Sequence, residues 1–93
     1  MSLTRVQINE YLESIGESTL LADGFDEALL GFSQRMNEPM LAVYSYEKMV
    51  QVLMDNDDLS YDDAVEYVDF NVVGAWVGEQ TPIIVMPIDS IIA

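Results

Sequence analysis

SYDDAVEYVDFNVVGAWVG, residues 60–78, admits two readings, and the architecture of the chain depends on which one is taken. Ser60, with Asp63 three residues on, is a helix-capping pattern. Beyond it Tyr61, Ala64, Val65, Val68, Val72, Ala75 and Trp76 keep a helical period for over four turns. The competing reading makes 72–77 a strand, because it is rich in valine and contains Gly74. Periodicity favours a single helix from Ser60 to about Val77, stopped by Gly78. Past Thr81 and Pro82, Ile83–Met86 is predicted as a strand ended by Pro87.

Upstream of this run the punctuation is clearer. Ser45 caps a helix whose Tyr46, Met49, Val50 and Leu53 share one face, and Asp55-Asn56-Asp57-Asp58 ends it. Before it, Ala28–Ser33 and Met40–Tyr44 are apolar runs flanking turn residues Arg35 to Pro39, the pattern of a hairpin. The N-terminal Thr4–Ile15 is an amphipathic helix: Thr4 and Gln7 form a capping box, Ile8, Tyr11, Leu12 and Ile15 recur at helical spacing, and Gly16 suits the left-handed residue after the end. Glu17–Glu27 is irregular, with a turn at Asp23-Gly24. The order α-β-β-α-α-β predicts a single α+β domain over residues 1–93, with a small, mainly antiparallel three-stranded sheet packed with helices.

Half of the 93 residues are apolar, enough for a core. No apolar run has the length of a membrane span, and Met1 to Arg5 lacks a basic segment followed by an apolar block, so no signal peptide is expected. With no cysteine there is no disulfide framework, and a cytoplasmic location is expected. The charge is extreme: 17 acids face only Arg5, Arg35 and Lys48, for a net charge of −14. Such a field repels nucleic acid and anionic membrane and attracts basic protein surfaces. It also strains the compact state, so stability is expected to rise with salt.

Catalytic options are few. There is no histidine, no thiol, no Gly-x-Ser-x-Gly setting and no phosphate-cradling glycine loop. Carboxylate pairs remain, but 17 acids in so short a chain fall close together by chance. A non-enzymatic protein without a cofactor is expected.

The acids concentrate: Asp55, Asp57, Asp58, Asp62, Asp63, Glu66 and Asp69 lie within fifteen residues. Laid on a twelve-residue calcium loop, Asp55, Asp57, Asp63 and Glu66 fall at ligand positions, but Leu59 lacks the required oxygen and Ser60 stands where the loop needs glycine. An acidic interhelical turn, with acids favouring the helix dipole, is the preferred reading there. On the last helix Asp62, Glu66 and Asp69 form a stripe opposite its apolar face. A line of carboxylates imitates a line of phosphates before a basic groove. An ordinary solvated face mixes both signs, whereas here Lys48 is the only cation after Arg35. Tyr11, Tyr61, Phe70 and Trp76 occupy apolar positions and are expected in the core; Tyr44 and Tyr46 alternate at a strand end, where the core is preferred and exposure of one as an interface anchor is the alternative. The apolar end Ile88-Asp89-Ser90-Ile91-Ile92-Ala93 is expected to fold back or to pair with a second copy, giving a homodimer.

Asp23-Gly24-Phe25-Asp26-Glu27-Ala28-Leu29-Leu30-Gly31, the run from Ala42 to Lys48, and Phe70 to Ile83 with its Gly74-Ala75-Trp76-Val77-Gly78-Glu79-Gln80-Thr81-Pro82 carry a further signal. Across residues 22–85 the chain resembles a group of small acidic proteins encoded by tailed bacteriophages and prophages. The resemblance implies a phage origin and action inside an infected bacterium; it brings no activity, ligand or catalytic residue. Several members of the group carry cysteine where Met49 stands, so no thiol role extends to this chain. The combined expectation is an inhibitor or decoy, a mimic of nucleic acid aimed at a basic nucleic-acid-binding host protein such as a defence nuclease or a CRISPR effector. The alternative is a self-associating structural or assembly protein of a phage.

Overall fold

The computed structural model describes residues 4–89. Helix α1 (Arg5–Ser14) begins with the expected capping box: the Thr4 side chain accepts the Gln7 N–H, and the Gln7 side chain accepts the Thr4 N–H. The chain leaves it through Gly16, whose φ of 70° is open to glycine at no steric cost. The chain then runs irregularly to a 3-10 turn at Asp26–Ala28 and enters strand β1 (Leu29–Ser33). A turn with Asn37 at φ 66° leads to strand β2 (Leu41–Ser45). Ser45 caps helix α2 (Tyr46–Asn56), its hydroxyl accepting the Lys48 N–H at 3.2 Å. Ser60 caps helix α3 (Tyr61–Val68) through the Asp63 N–H, also at 3.2 Å.

The sheet order is β1-β2-β3, with β2 in the centre and β3 spanning Ile83–Val85. The hairpin pairs β1 and β2 antiparallel, with a bulge between Leu29 and Gly31. β3 pairs with β2 in parallel, Val43 opposite Ile83 and Ser45 opposite Val85. The expectation of a mainly antiparallel sheet is therefore corrected to a mixed one. A parallel neighbour needs a crossover connection, which α2, α3 and the segment after them provide.

That segment also differs from the expected helix. α3 stops at Val68 and passes into a π turn over Asp69–Val73, closed by the Gly74 N–H on the Asp69 carbonyl at 3.0 Å. A Cβ on Gly74 would lie 3.2 Å from that carbonyl oxygen, so glycine lets the turn tighten there. Residues 75–77 are neither helix nor strand. Val72, Val73 and Gly74 are poor helix formers, and their propensity won over the continuing period. Ending the helix early frees residues 74–82 as a connector, long enough at about 3.3 Å per residue to carry the chain back to the start of β2.

Leu29, Phe32, Ala42, Tyr44 and Ile84 belong to the apolar interior together with Met49, Val50, Val52 and Leu53 of α2 and Ala64 and Val68 of α3. Each fully buried aliphatic side chain contributes about 1.5–3 kcal/mol. Ile8 and Leu12 of α1 join Met40 in a satellite cluster that shares Leu21, Leu29 and Phe32 with the main one. The helices thus cover one face of the sheet. Leu41, Val43, Ile83 and Val85 alternate onto the other face and belong to neither cluster.

Arg5 ties α1 to the irregular segment. Its guanidinium donates to Asp26 at 2.8 Å and 3.2 Å and to Asp23 at 3.1 Å. Those carboxylates hold its pKa above the ordinary arginine value, the hydrogen bond to Asp26 contributing most. Tyr44 anchors the same segment from within: fully buried, its hydroxyl accepts the Ala22 N–H at 2.8 Å.

Four aromatic side chains expected in the core lie outside it. Tyr61 is 62% exposed and Tyr11 51%, the latter stacked on Phe32 with ring centroids 5.8 Å apart. Phe70 and Trp76 are each 76% exposed. Trp76 lies in the connector past the π turn, where no helix holds it against the core, and Phe70, four residues after Glu66, falls on the acidic side of the helix opposite Ala64 and Val68. Ile88 is exposed, and the expected packing of Ser90 to Ala93 lies outside the described residues.

Candidate acidic and aromatic interface

All seven carboxylates of the acidic run are exposed, but they do not form one array. Asp55 sits in the last turn of α2 and accepts from Gln51 Nε2 at 2.8 Å. Asp57 caps that helix, and Asp58 adopts φ 54° in the turn between the two helices. Asp62 and Asp63 occupy the first turn of α3, where the helix dipole favours negative charge. Glu66 stands one turn on, and Asp69 opens the π turn. The predicted stripe Asp62, Glu66, Asp69 is thus on the solvent side of α3, opposite Ala64 and Val68.

Asp69 is less free than its neighbours. The Tyr46 hydroxyl donates to its Oδ1 at 2.7 Å, linking the start of α2 to the end of α3. Burial pushes the Tyr46 pKa up to about 12, with the hydrogen bond to Asp69 and the carboxylate charge adding to the rise. Losing the phenolic proton would place two negative groups in contact.

Only residues 57–60 separate α2 from α3, so the twelve-residue calcium loop is not formed: Asp55, Asp63 and Glu66 are held on helices. Among the described residues no group of three or more acids converges on a point where a metal ion would sit.

Two neighbouring depressions lie beside α3. One is an open groove lined by Asp63, Glu66, Tyr67, Phe70 and Asn71. The other is a cleft of about 420 Å³ between the segment after Leu20 and the π turn, its walls mostly apolar. Tyr67 and Asn71 line both. The sequence pattern pointed to Asp63 and Glu66 of this region but assigned Phe70 to the core and gave no role to Tyr67 or Asn71. One signal for the exposure was present. Asp63, Glu66, Tyr67 and Phe70 recur at i, i+3, i+4 and i+7, the spacing of one helix face, so the aromatics stand with the acids.

Among the described residues no helix is long and apolar enough to cross a membrane. Comparison with family models, curated proteins and solved structures gives no match to this chain.

Proposed function

We propose that the chain is a non-enzymatic interaction protein that presents the acidic face of α3, and the turn before it, to the nucleic-acid-binding surface of a basic protein. The observation that carries this reading is the exposure of all seven carboxylates from Asp55 to Asp69 on a stretch without one lysine or arginine. No cation within that stretch neutralises the field, so a basic channel is drawn to it as to phosphate. Tyr67 and Phe70, exposed beside Asp63 and Glu66, add the aromatic surface that interface anchors use. The phage origin and the bacterial cytoplasm as site of action rest on the resemblance of residues 22–85 alone. Within that setting the reading is an inhibitor of a host defence protein, a nuclease or a CRISPR effector being the fitting kind of target.

The test is capture from bacterial lysate on the tagged protein, eluted by a salt gradient and repeated with Asp62→Lys/Glu66→Lys. One basic nucleic-acid-binding protein, released by moderate salt and lost with the charge reversals, is the expected result. Capture that survives both reversals sinks the electrostatic mechanism.

The outer sheet face favours a second reading. Leu41, Val43, Ile83 and Val85 carry no charge and are not part of the interior clusters, as suits a structural protein that associates with itself. Sedimentation of wild type against Val43→Lys separates the two: a monomeric mass for both leaves no self-assembly to explain.

A further inference from the structure

We infer that the cleft beside α3 receives an apolar side chain of a basic partner segment, next to an arginine or lysine that sits on the acidic groove. This rests on the acidic-face reading and adds to it an apolar half. The cleft, about 420 Å³, is lined by Leu20, Phe25, Val72, Ala75 and Ile84 among others. That volume is in the range of small-ligand pockets and leaves room for one apolar side chain. Tyr67 and Asn71 form the ridge it shares with the groove of Asp63, Glu66 and Phe70, so neighbouring side chains of one segment reach both.

Charge selects the occupant. Asp23, Asp63 and Glu66 are the charged side chains lining the two depressions. The nearby cation is Arg5, committed to Asp23 at 3.1 Å and to Asp26 at 2.8 Å. An anionic occupant is repelled and a cationic one drawn in. A guanidinium on the groove meets carboxylates and the exposed Phe70 ring together, which suits its flat, delocalised charge.

Hydrogen bonding favours a peptide over a small polar ligand. Two polar side chains of the cleft are already engaged: Asn71 Nδ2 donates to the Tyr67 carbonyl at 3.2 Å, and the Thr81 hydroxyl accepts the Val77 N–H at 2.9 Å while donating to the Gly78 carbonyl at 2.6 Å. With Asp23 held by Arg5, the polar contacts that remain are the Tyr67 ridge and the acidic rim. Orientation comes from the acidic rim, which a longer segment spans.

Fluorescence anisotropy with two labelled peptides of equal length and charge tests this, one alternating arginine with leucine and the other arginine with glycine. The arginine–leucine peptide is expected to bind roughly ten-fold tighter or more, the return on burying one apolar side chain. Ala75→Leu, which takes up part of the cleft, reduces that advantage, and so does Leu20→Ala at an exposed wall should the first variant not fold. Asp63→Asn/Glu66→Gln weakens both peptides. Equal binding of the two peptides to wild type, or an advantage that both cleft variants leave undiminished, overturns the cleft and leaves the acidic face standing. Failure of both peptides to bind overturns both readings. Tight binding of an uncharged leucine–serine peptide overturns the selection by charge.

Discussion

Replacing Trp76 by alanine separates the two accounts of residues 69–77 by stability alone. On a helix running to Val77, Trp76 is a core residue, and truncating a buried tryptophan costs about 3–5 kcal/mol. In the structure its side chain is 76% exposed. A tryptophan has up to about 250 Å² to bury, so about 60 Å² is covered here. At about 25 cal/mol per Å² that contact is worth about 1.5 kcal/mol. The figure is an upper bound, because the unfolded chain covers part of the same surface. Urea denaturation followed by circular dichroism reads the difference, the transition of a domain this small being two-state as a rule. Trp76 is the only tryptophan, so wild-type fluorescence reports on this one position. Native emission close to that of the unfolded chain, and open to acrylamide quenching, is expected. A loss of about 3 kcal/mol or more in Trp76→Ala, the buried-tryptophan cost, or native emission that is blue-shifted and shielded from the quencher, refutes the exposed placement. The π turn that produces that placement falls with it.

Two further outcomes rest on hydrogen bonds. Tyr44→Phe removes the buried hydroxyl that accepts the Ala22 N–H and should cost about 1–3 kcal/mol, each kcal/mol lowering Tm by roughly 4–8 °C. Amide exchange at Ala22 should quicken in that variant, and a Tm equal to wild type would show the bond contributes nothing net. For Tyr46 the folded pKa of about 12 lies above the unfolded value of about 10. The folded state therefore holds that proton more tightly, and the stability this brings is full below pH ~10 and lost as pH rises toward 12. Tyr46→Phe should lose less stability than wild type across that window, and parallel alkaline denaturation curves for the two would contradict the assignment.

Features set by residues close in the chain were legible in the sequence. The Thr4–Gln7 capping box, the hydroxyl caps at Ser45 and Ser60, the left-handed Gly16 and the hairpin around Arg35 to Pro39 all formed as local chemistry dictates. Each is settled by contacts a few residues apart or by the intrinsic preference of one backbone position. The exposure of the acidic run was legible for a related reason, since unpaired carboxylates stay in water.

The exposure of Trp76 was not legible, nor was the direction of β3. Phe70, four residues after Glu66, was legible on the acidic side, but Trp76 matches the helical period that begins at Tyr61, and only the end of the helix in the turn at Asp69–Val73, with the close approach allowed at Gly74, turns it outward. That choice balances weak helix propensity against the pairing of β3 with β2, far away in the chain, an energy that no local window contains. The parallel register comes from the same event, because a shorter helix leaves enough chain to return to Val43. Composition and spacing determined that this protein is acidic, α+β and free of histidine and cysteine chemistry. Helical spacing alone stands Asp63 and Glu66 beside Tyr67 and Phe70; tertiary structure decided that an apolar cleft opens next to them, because its walls come from segments brought together only by folding.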